Sequence, residues 1–177
     1  ENCTMRLFVA LNLPGRVERE VWAYMEKLRR SYPKAGRFSR RENLHLTLAF
    51  IGEADEAAAG RIASELLTLP PHALSMDLAG TGVFRSGILW AGLREKNELE
   101  KMSLEVREVL KRLGIPFDAK SFRAHITLAR DWKGPEPESL PQLPRMTGLQ
   151  PGVLQARLFE SYRNERGAVC YRPIAAQ

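Results

Sequence analysis

Two short phrases in this chain carry one pattern: His45-Leu46-Thr47 in the first half and His125-Ile126-Thr127 in the second. Histidine titrates near neutrality, so a pair can hold one neutral and one protonated imidazole together. The neutral ring takes a proton from an attacking oxygen, and the charged ring gives one to a leaving oxygen. A threonine hydroxyl beside each ring can donate to a phosphate oxygen. Displacement at phosphorus needs its entering and leaving oxygens in line on opposite sides. One histidine from each of two elements would meet that demand.

Two other readings compete. A lone histidine on a strand is more often a structural residue tied to a neighbour. Two copies with the same offset to threonine weaken that reading. A metal site is the other alternative, but catalytic zinc usually takes three protein ligands. No cysteine lies near either motif, and no acidic residue shares the His face of either run; Asp131 only follows the second. No metal and no cofactor are therefore expected. His72, alone after Pro70-Pro71, receives no role.

Each motif sits in an apolar run, Asn43 to Phe50 and Arg123 to Arg130. In a strand, alternate residues share a face, so His and Thr point one way while Leu and Ile point the other. The surrounding elements follow one order twice. Leu7 to Leu13 reads as a strand, Val17 to Arg30 as an amphipathic helix, then the His45 strand, a helix over Ala54 to Leu69, and a strand over Leu74 to Leu78. Ile88 to Leu93 reads as a strand, Glu98 to Leu113 as a helix ended by Gly114 and Pro116, then the His125 strand and a strand over Val153 to Phe159. Leu74 follows His45 at the same interval as Leu154 follows His125. In place of a second helix in the second half, Lys133 to Pro151 carries five prolines, which predicts an ordered loop or flap. The fold class expected is α+β: two pseudo-symmetric lobes, each an antiparallel sheet with outer helices, around a central cleft. One bilobal domain over 1–177 would contain a duplication, approximately 5–80 and 86–160.

Bulk properties agree with an enzyme or binder of polyanions. The chain has 177 residues, 44 % of them hydrophobic, which suits a single folded domain and argues against disorder. Lys and Arg number 27 against 21 Asp and Glu, a net charge of +6, and a basic surface suits nucleic acid. Cys3 and Cys170 fit no metal or redox spacing and read as free thiols in a reducing compartment. No apolar run approaches a membrane span. A cytoplasmic location is expected.

Several segments together resemble one family: Met5-Arg6-Leu7-Phe8-Val9-Ala10, Asn43 to Gly52 (NLHLTLAFIG), Gly82-Val83-Phe84, Leu89-Trp90-Ala91-Gly92, and Ser121 to Arg130 (SFRAHITLAR). This set is similar to the two-histidine (2H) phosphoesterase superfamily, and within it to the RNA 2′,3′-cyclic phosphodiesterases, also called 2′-5′ RNA ligases. The resemblance implies hydrolysis of a terminal 2′,3′-cyclic phosphate to a 2′-phosphomonoester, with reversible 2′-5′ joining of RNA ends. It implies His45 and His125 as the catalytic pair, His125 as base and His45 as acid, with Thr47 and Thr127 binding substrate. Implied partners are RNA ends or cyclic nucleotides, tRNA halves among them, acting with a monomer and no membrane. A nucleotide- or RNA-binding module without turnover, and a phosphodiesterase for another cyclic phosphate, remain the alternatives. Two departures stand out. Ala124 replaces the proline usual before the second histidine, and the stretch from Gly167 to Tyr171 is one residue longer than in the family, so Tyr171 receives no role.

Supporting residues divide by parity. Arg123 shares the face of His125, whereas Arg130 lies five residues on and should face away; the resemblance favours Arg130. Both are expected to bind substrate. Phe50 should face away from His45 and pack in the core, with Phe8 and Trp90 candidates for base stacking or for core. The run Arg37-Phe38-Ser39-Arg40-Arg41 is the densest basic patch and a candidate grip on RNA.

Overall fold

Alternating apolar residues form ten strands, and three amphipathic stretches form helices, in the computed structural model, which describes residues 3–176. In chain order the main elements are β1 (Thr4–Asn12), α1 (Gly15–Ser31), β2 (Arg37–Phe38), β3 (His45–Asp55), α2 (Glu56–Leu66), β4 (His72–Leu74), β5 (Leu78–Val83) and β6 (Leu89–Leu93). Then follow α3 (Asn97–Arg112), β7 (Ile126–Arg130), β8 (Gly152–Leu154), β9 (Arg157–Arg163) and β10 (Val169–Pro173). Two four-stranded antiparallel sheets result, ordered β10-β9-β1-β3 and β2-β7-β6-β5, with β4 and β8 as a separate ribbon. The architecture is α+β, as expected. Among the described residues no helix is long and apolar enough to cross a membrane.

Three strands of each sheet match in order, while β10 extends the first beyond β9 and β2 flanks the motif strand of the second. In the first, the motif strand β3 borders β1, and β1 borders β9. In the second, the motif strand β7 borders β6, and β6 borders β5. The sheets do not follow the halves of the sequence, however. β5, from the first half, completes the second sheet, and β9, from the second half, completes the first. This exchange explains why two expected strands are broken. Leu74 to Leu78 leaves the ribbon as β4 and enters the second sheet as β5, with Met76 wholly buried at the corner. Val153 to Phe159 likewise divides into β8 and β9 around buried Ala156.

Helix ends obey local chemistry. α2 starts later than the sequence suggests because Ala54 still belongs to β3, and the Asp55 carboxylate caps the helix by accepting from the Ala58 N–H at 2.7 Å. α3 ends as predicted at Gly114, whose φ of +69° takes the left-handed region that glycine reaches freely. There the Ile115 N–H donates to the Leu110 carbonyl and the Gly114 N–H to that of Lys111, a paired closure of the last turn. The proline-rich segment forms one short 3-10 turn at Pro137–Ser139 and no α-helix. It is tied down where the Tyr24 hydroxyl donates to the Pro141 carbonyl at 2.7 Å and the Trp132 indole to that of Pro135 at 3.0 Å.

One continuous core joins both sheets. It takes Leu7, Val9 and Leu11 from β1, Leu46 and Leu48 from β3, Leu89 and Ala91 from β6, and Ile126 and Leu128 from β7. The apolar stripes of all three helices enter it. Phe8, Ala10 and Phe159 lie apart from this core in a second cluster, with Tyr171 packed on it. That cluster covers the opposite face of the first sheet, the face that carries His45.

Candidate active site

β3 and β7 lie against each other, so the two motif strands meet where the sheets adjoin. His45 begins β3, and His125 stands one residue ahead of β7, which is shorter than the strand expected from Arg123. Both rings are held alike. The His45 Nδ1–H donates to the Asn43 carbonyl at 2.7 Å, and the His125 Nδ1–H donates to the Arg123 carbonyl at 2.7 Å. A carbonyl only accepts, so each Nδ1 carries the proton and each neutral ring keeps its lone pair on Nε2. The Thr47 hydroxyl donates to His45 Nε2 at 2.8 Å. Among the described residues His125 Nε2 has no hydrogen-bond partner.

Aromatic walls fix the imidazoles. Phe8 lies 5.0 Å from the His45 ring, and Tyr171 stands edge-on to it at 5.1 Å. Phe84 stands edge-on to His125 at 4.9 Å and packs on Trp90 at 5.4 Å. Tyr171 and Phe84 are the residues that sequence reasoning misses. The spacing of Tyr171 to Gly167 gives no sign of a role, yet β10 pairs in register with β9 and brings Tyr171 over Phe8. Phe84 follows β5, where the sequence signals no strand to place it.

Burial lowers the pKa of both histidines. For His45 the loss of water dominates; the Asn43 carbonyl opposes it, and the charges of His125 and Arg130 lower the pKa further. For His125 burial again dominates, against the Arg123 carbonyl, and Arg130 again lowers it. The two imidazoles are therefore in electrostatic reach of each other, and Arg130 acts on both.

Arg130 reaches the site because of a bulge that parity reasoning could not supply. Between β6 and β7, Trp90 pairs with Thr127 but Leu89 pairs with Ala129, so Leu128 is the extra residue. Leu128 and Ala129 both turn to the core, and the next residue, Arg130, returns to the face of Thr127. The first sheet repeats the device: Ala10 pairs with Thr47 and Val9 with Ala49, leaving Leu48 extra. Phe50 thereby joins the His45 face. It is 52 % exposed and lies 6.4 Å from Phe8, which corrects the expectation of a core residue on the opposite face. Phe50 follows His45 at the same offset as Arg130 follows His125, so the two are counterparts. Each bulge leaves a carbonyl that needs a donor. Leu48 receives one from the buried Ser103 hydroxyl of α3 at 2.9 Å, and Leu128 from the Ser39 N–H at 2.9 Å.

Arg123 lies in the extended segment before β7; its carbonyl holds His125, while its exposed side chain makes no ion pair among the described residues. The basic run before β3 is largely neutralised. Arg37 pairs with Asp131 at 2.7 Å, Arg40 with Glu42, and Arg41 with Glu18. Phe8 is buried against His45 rather than in the main core, and Trp90 shares the face of Thr127. Cys3 and Cys170 are free thiols. His72 is bound at both ring nitrogens, by Glu98 and Glu105 of α3. Among the described residues no group of three His, Cys, Asp or Glu side chains is placed to hold a metal ion.

Comparison with known proteins accords with this geometry. The family model of the 2'-5' RNA ligase superfamily matches residues 17–152. The RNA 2',3'-cyclic phosphodiesterase of Archaeoglobus fulgidus is 35 % identical over 132 residues, covering 71 % of this chain and 72 % of that protein. The Escherichia coli protein of the same name is 33 % identical over 129 residues, covering 71 % and 72 %. In three dimensions, E. coli LigT complexed with 3'-AMP superposes with a TM-score of 0.77 at 26 % identity, over 97 % of this chain and 96 % of that one. On sequence and fold together, with paired His-x-Thr strands at the junction of two matched sheets, the chain belongs to the 2'-5' RNA ligase superfamily.

Proposed function

We propose that this protein is an enzyme that hydrolyses the 2′,3′-cyclic phosphate at an RNA end to a 2′-phosphomonoester. The observation that carries the reading is the matched pair of imidazoles, each with its Nδ1–H given to the carbonyl two residues back, so that Nε2 faces Thr47 in His45 and is open in His125. The relatives named above as RNA 2',3'-cyclic phosphodiesterases support the substrate class. So does the net charge of +6.

His125 is the base in this mechanism. Its Nε2 takes a proton from water as the water oxygen attacks phosphorus. The bond from phosphorus to the 3′-oxygen breaks, and His45 Nε2–H protonates that oxygen. The 2′-oxygen keeps the phosphate. Each proton transfer contributes roughly a hundred- to ten-thousand-fold in rate. Both imidazoles resist protonation in the free protein, and the bound phosphate anion supplies the negative charge that favours one proton on the pair. With His45 protonated, Nε2 no longer accepts from the Thr47 hydroxyl, which is released to donate to a phosphate oxygen, and the Nε2–H is free for the leaving oxygen. Thr127 and Arg130 serve the phosphate from the other strand, with Arg123 at the rim. Ligation runs the same exchange with a 5′-hydroxyl in place of water and yields a 2′-5′ bond. In this reading the protein acts as a cytoplasmic monomer on RNA ends such as tRNA halves.

The test is turnover of adenosine 2′,3′-cyclic phosphate with product identified by NMR or chromatography. Wild-type protein should yield the 2′-monophosphate. His45→Ala and His125→Ala should each lower kcat by about a hundred- to ten-thousand-fold with little change in Tm. Either variant retaining full activity, or a wild type that binds without product, refutes the reading.

A further inference from the structure

Arg157 opens β9 at the rim of the first sheet and pairs with Ala10 of β1, which itself pairs with Thr47 of β3. Directly opposed residues of antiparallel strands share a face. Arg157, Ala10 and Thr47 therefore form one row across the face that carries His45. Burial agrees: Leu158 is 2 % exposed and belongs to the main core, while Phe159, two residues past Arg157, packs on Phe8 beside His45. The middle place of the row is an alanine, so nothing large stands between the guanidinium and the threonine.

The charge is uncommitted. Arg157 is exposed and, among the described residues, has no hydrogen bond, ion pair or ring contact. Arg37, Arg40 and Arg41, by contrast, are each held by a carboxylate. The equivalent row of the second sheet reads Gly82, Trp90, Thr127. The first sheet thus offers a cation on β9, where the second offers an indole lying over a glycine.

Distance decides what the cation meets. Two inter-strand spacings put the Arg157 backbone roughly 9–10 Å from that of Thr47. In the mechanism proposed above the reacting phosphorus sits between the two histidines, and β7 with His125 adjoins β3 on the side away from β1 and β9. An extended arginine from β9 falls short of it and addresses an anion one sugar away. We propose that Arg157 binds the phosphodiester on the 5′ side of the reacting terminal nucleotide, and so makes the enzyme prefer oligonucleotide ends over mononucleoside cyclic phosphates. This rests on the cyclic phosphodiesterase reading above.

The experiment compares kcat/KM for adenylyl-adenosine 2′,3′-cyclic phosphate with that for adenosine 2′,3′-cyclic phosphate, which lacks the 5′ phosphodiester. Wild-type protein should favour the dinucleotide. Arg157→Gln should lower the dinucleotide-to-mononucleoside ratio by about ten-fold, the weight of one charge-assisted hydrogen bond, and Arg157→Lys should restore most of it. In Arg157→Gln the salt dependence of dinucleotide KM should flatten by about 0.7 in logarithmic slope, as expected when one phosphate is no longer neutralised. A ratio equal to wild type in Arg157→Gln overturns the proposal, and so does an equal loss on both substrates. Turnover of the mononucleoside substrate reports a folded, working site in each variant. A wild type that turns over neither substrate instead overturns the underlying reading, and this proposal with it.

Discussion

Replacing Gly82 with alanine should damage catalysis from a distance through one side chain. Gly82 faces Trp90 across the strand pair, and the indole lies over it. A Cβ at Gly82 would stand 2.2, 2.6 and 2.7 Å from Trp90 Cζ2, Cε2 and Cη2, whereas ordinary contact begins near 3.4 Å, so the ring must withdraw by the difference. The indole packs on Phe84 at 5.4 Å, and Phe84 braces His125 at 4.9 Å, so a displaced indole presses on the His125 side of the site. Gly82 has no positive φ, so alanine strains only by contact. Overpacking of this kind costs about 1–3 kcal/mol, or roughly 2–12 °C in Tm for a domain of this size. Displacing a catalytic group by about 1 Å lowers the rate by about a hundred-fold. Calorimetry and steady-state turnover of a 2′,3′-cyclic nucleotide measure the two effects, and Gly82→Ala combined with Trp90→Leu should recover the stability. A Gly82→Ala protein with kcat/KM within about two-fold of wild type would refute the relay from Gly82 to His125.

Three further outcomes follow from the site. Ser103→Ala strands the Leu48 carbonyl at the first bulge; it should cost about 1–3 kcal/mol in chemical denaturation and reduce turnover, and an unchanged midpoint would remove Ser103 as the anchor. Arg130→Gln deletes a positive charge that lowers the pKa of both histidines. Both pKa values rise, both limbs of the kcat/KM profile move to higher pH, and an optimum that stays put or moves acid contradicts the placement of Arg130. His72 has its pKa raised, first by its hydrogen bond to Glu98 and then by Glu105. Its contribution to stability should be complete below the ordinary imidazole pKa of 6.5 and fade as pH climbs through the raised value; equal pH dependence of melting in wild type and His72→Gln would rule this out.

Much of the site was legible in the chain because its information is local. The period-two run around each histidine sets His45 with Thr47 and His125 with Thr127 on one face, whatever the partner strand. The Gly114 helix stop and the absence of an α-helix over 133–151 followed from backbone chemistry alone. The aromatic braces were less legible. Tyr171 lies near the far end of the sequence from His45, and only the pairing of β10 with β9 and β9 with β1 closes that gap.

Other features belong to the assembled sheets. Leu48-Ala49 and Leu128-Ala129 look like ordinary strand residues. They become bulges only against β1 and β6, which bring one residue where the motif strands bring two. That single extra residue reverses parity, moving Phe50 and Arg130 to the face that carries the histidines. The exchange of β5 and β9 between sheets is likewise invisible within either half. A strand's own residues decide which of its side chains share a face. Where that face points, and what stands opposite, depends on hydrogen-bond register between two strands, and register is a property of the pair.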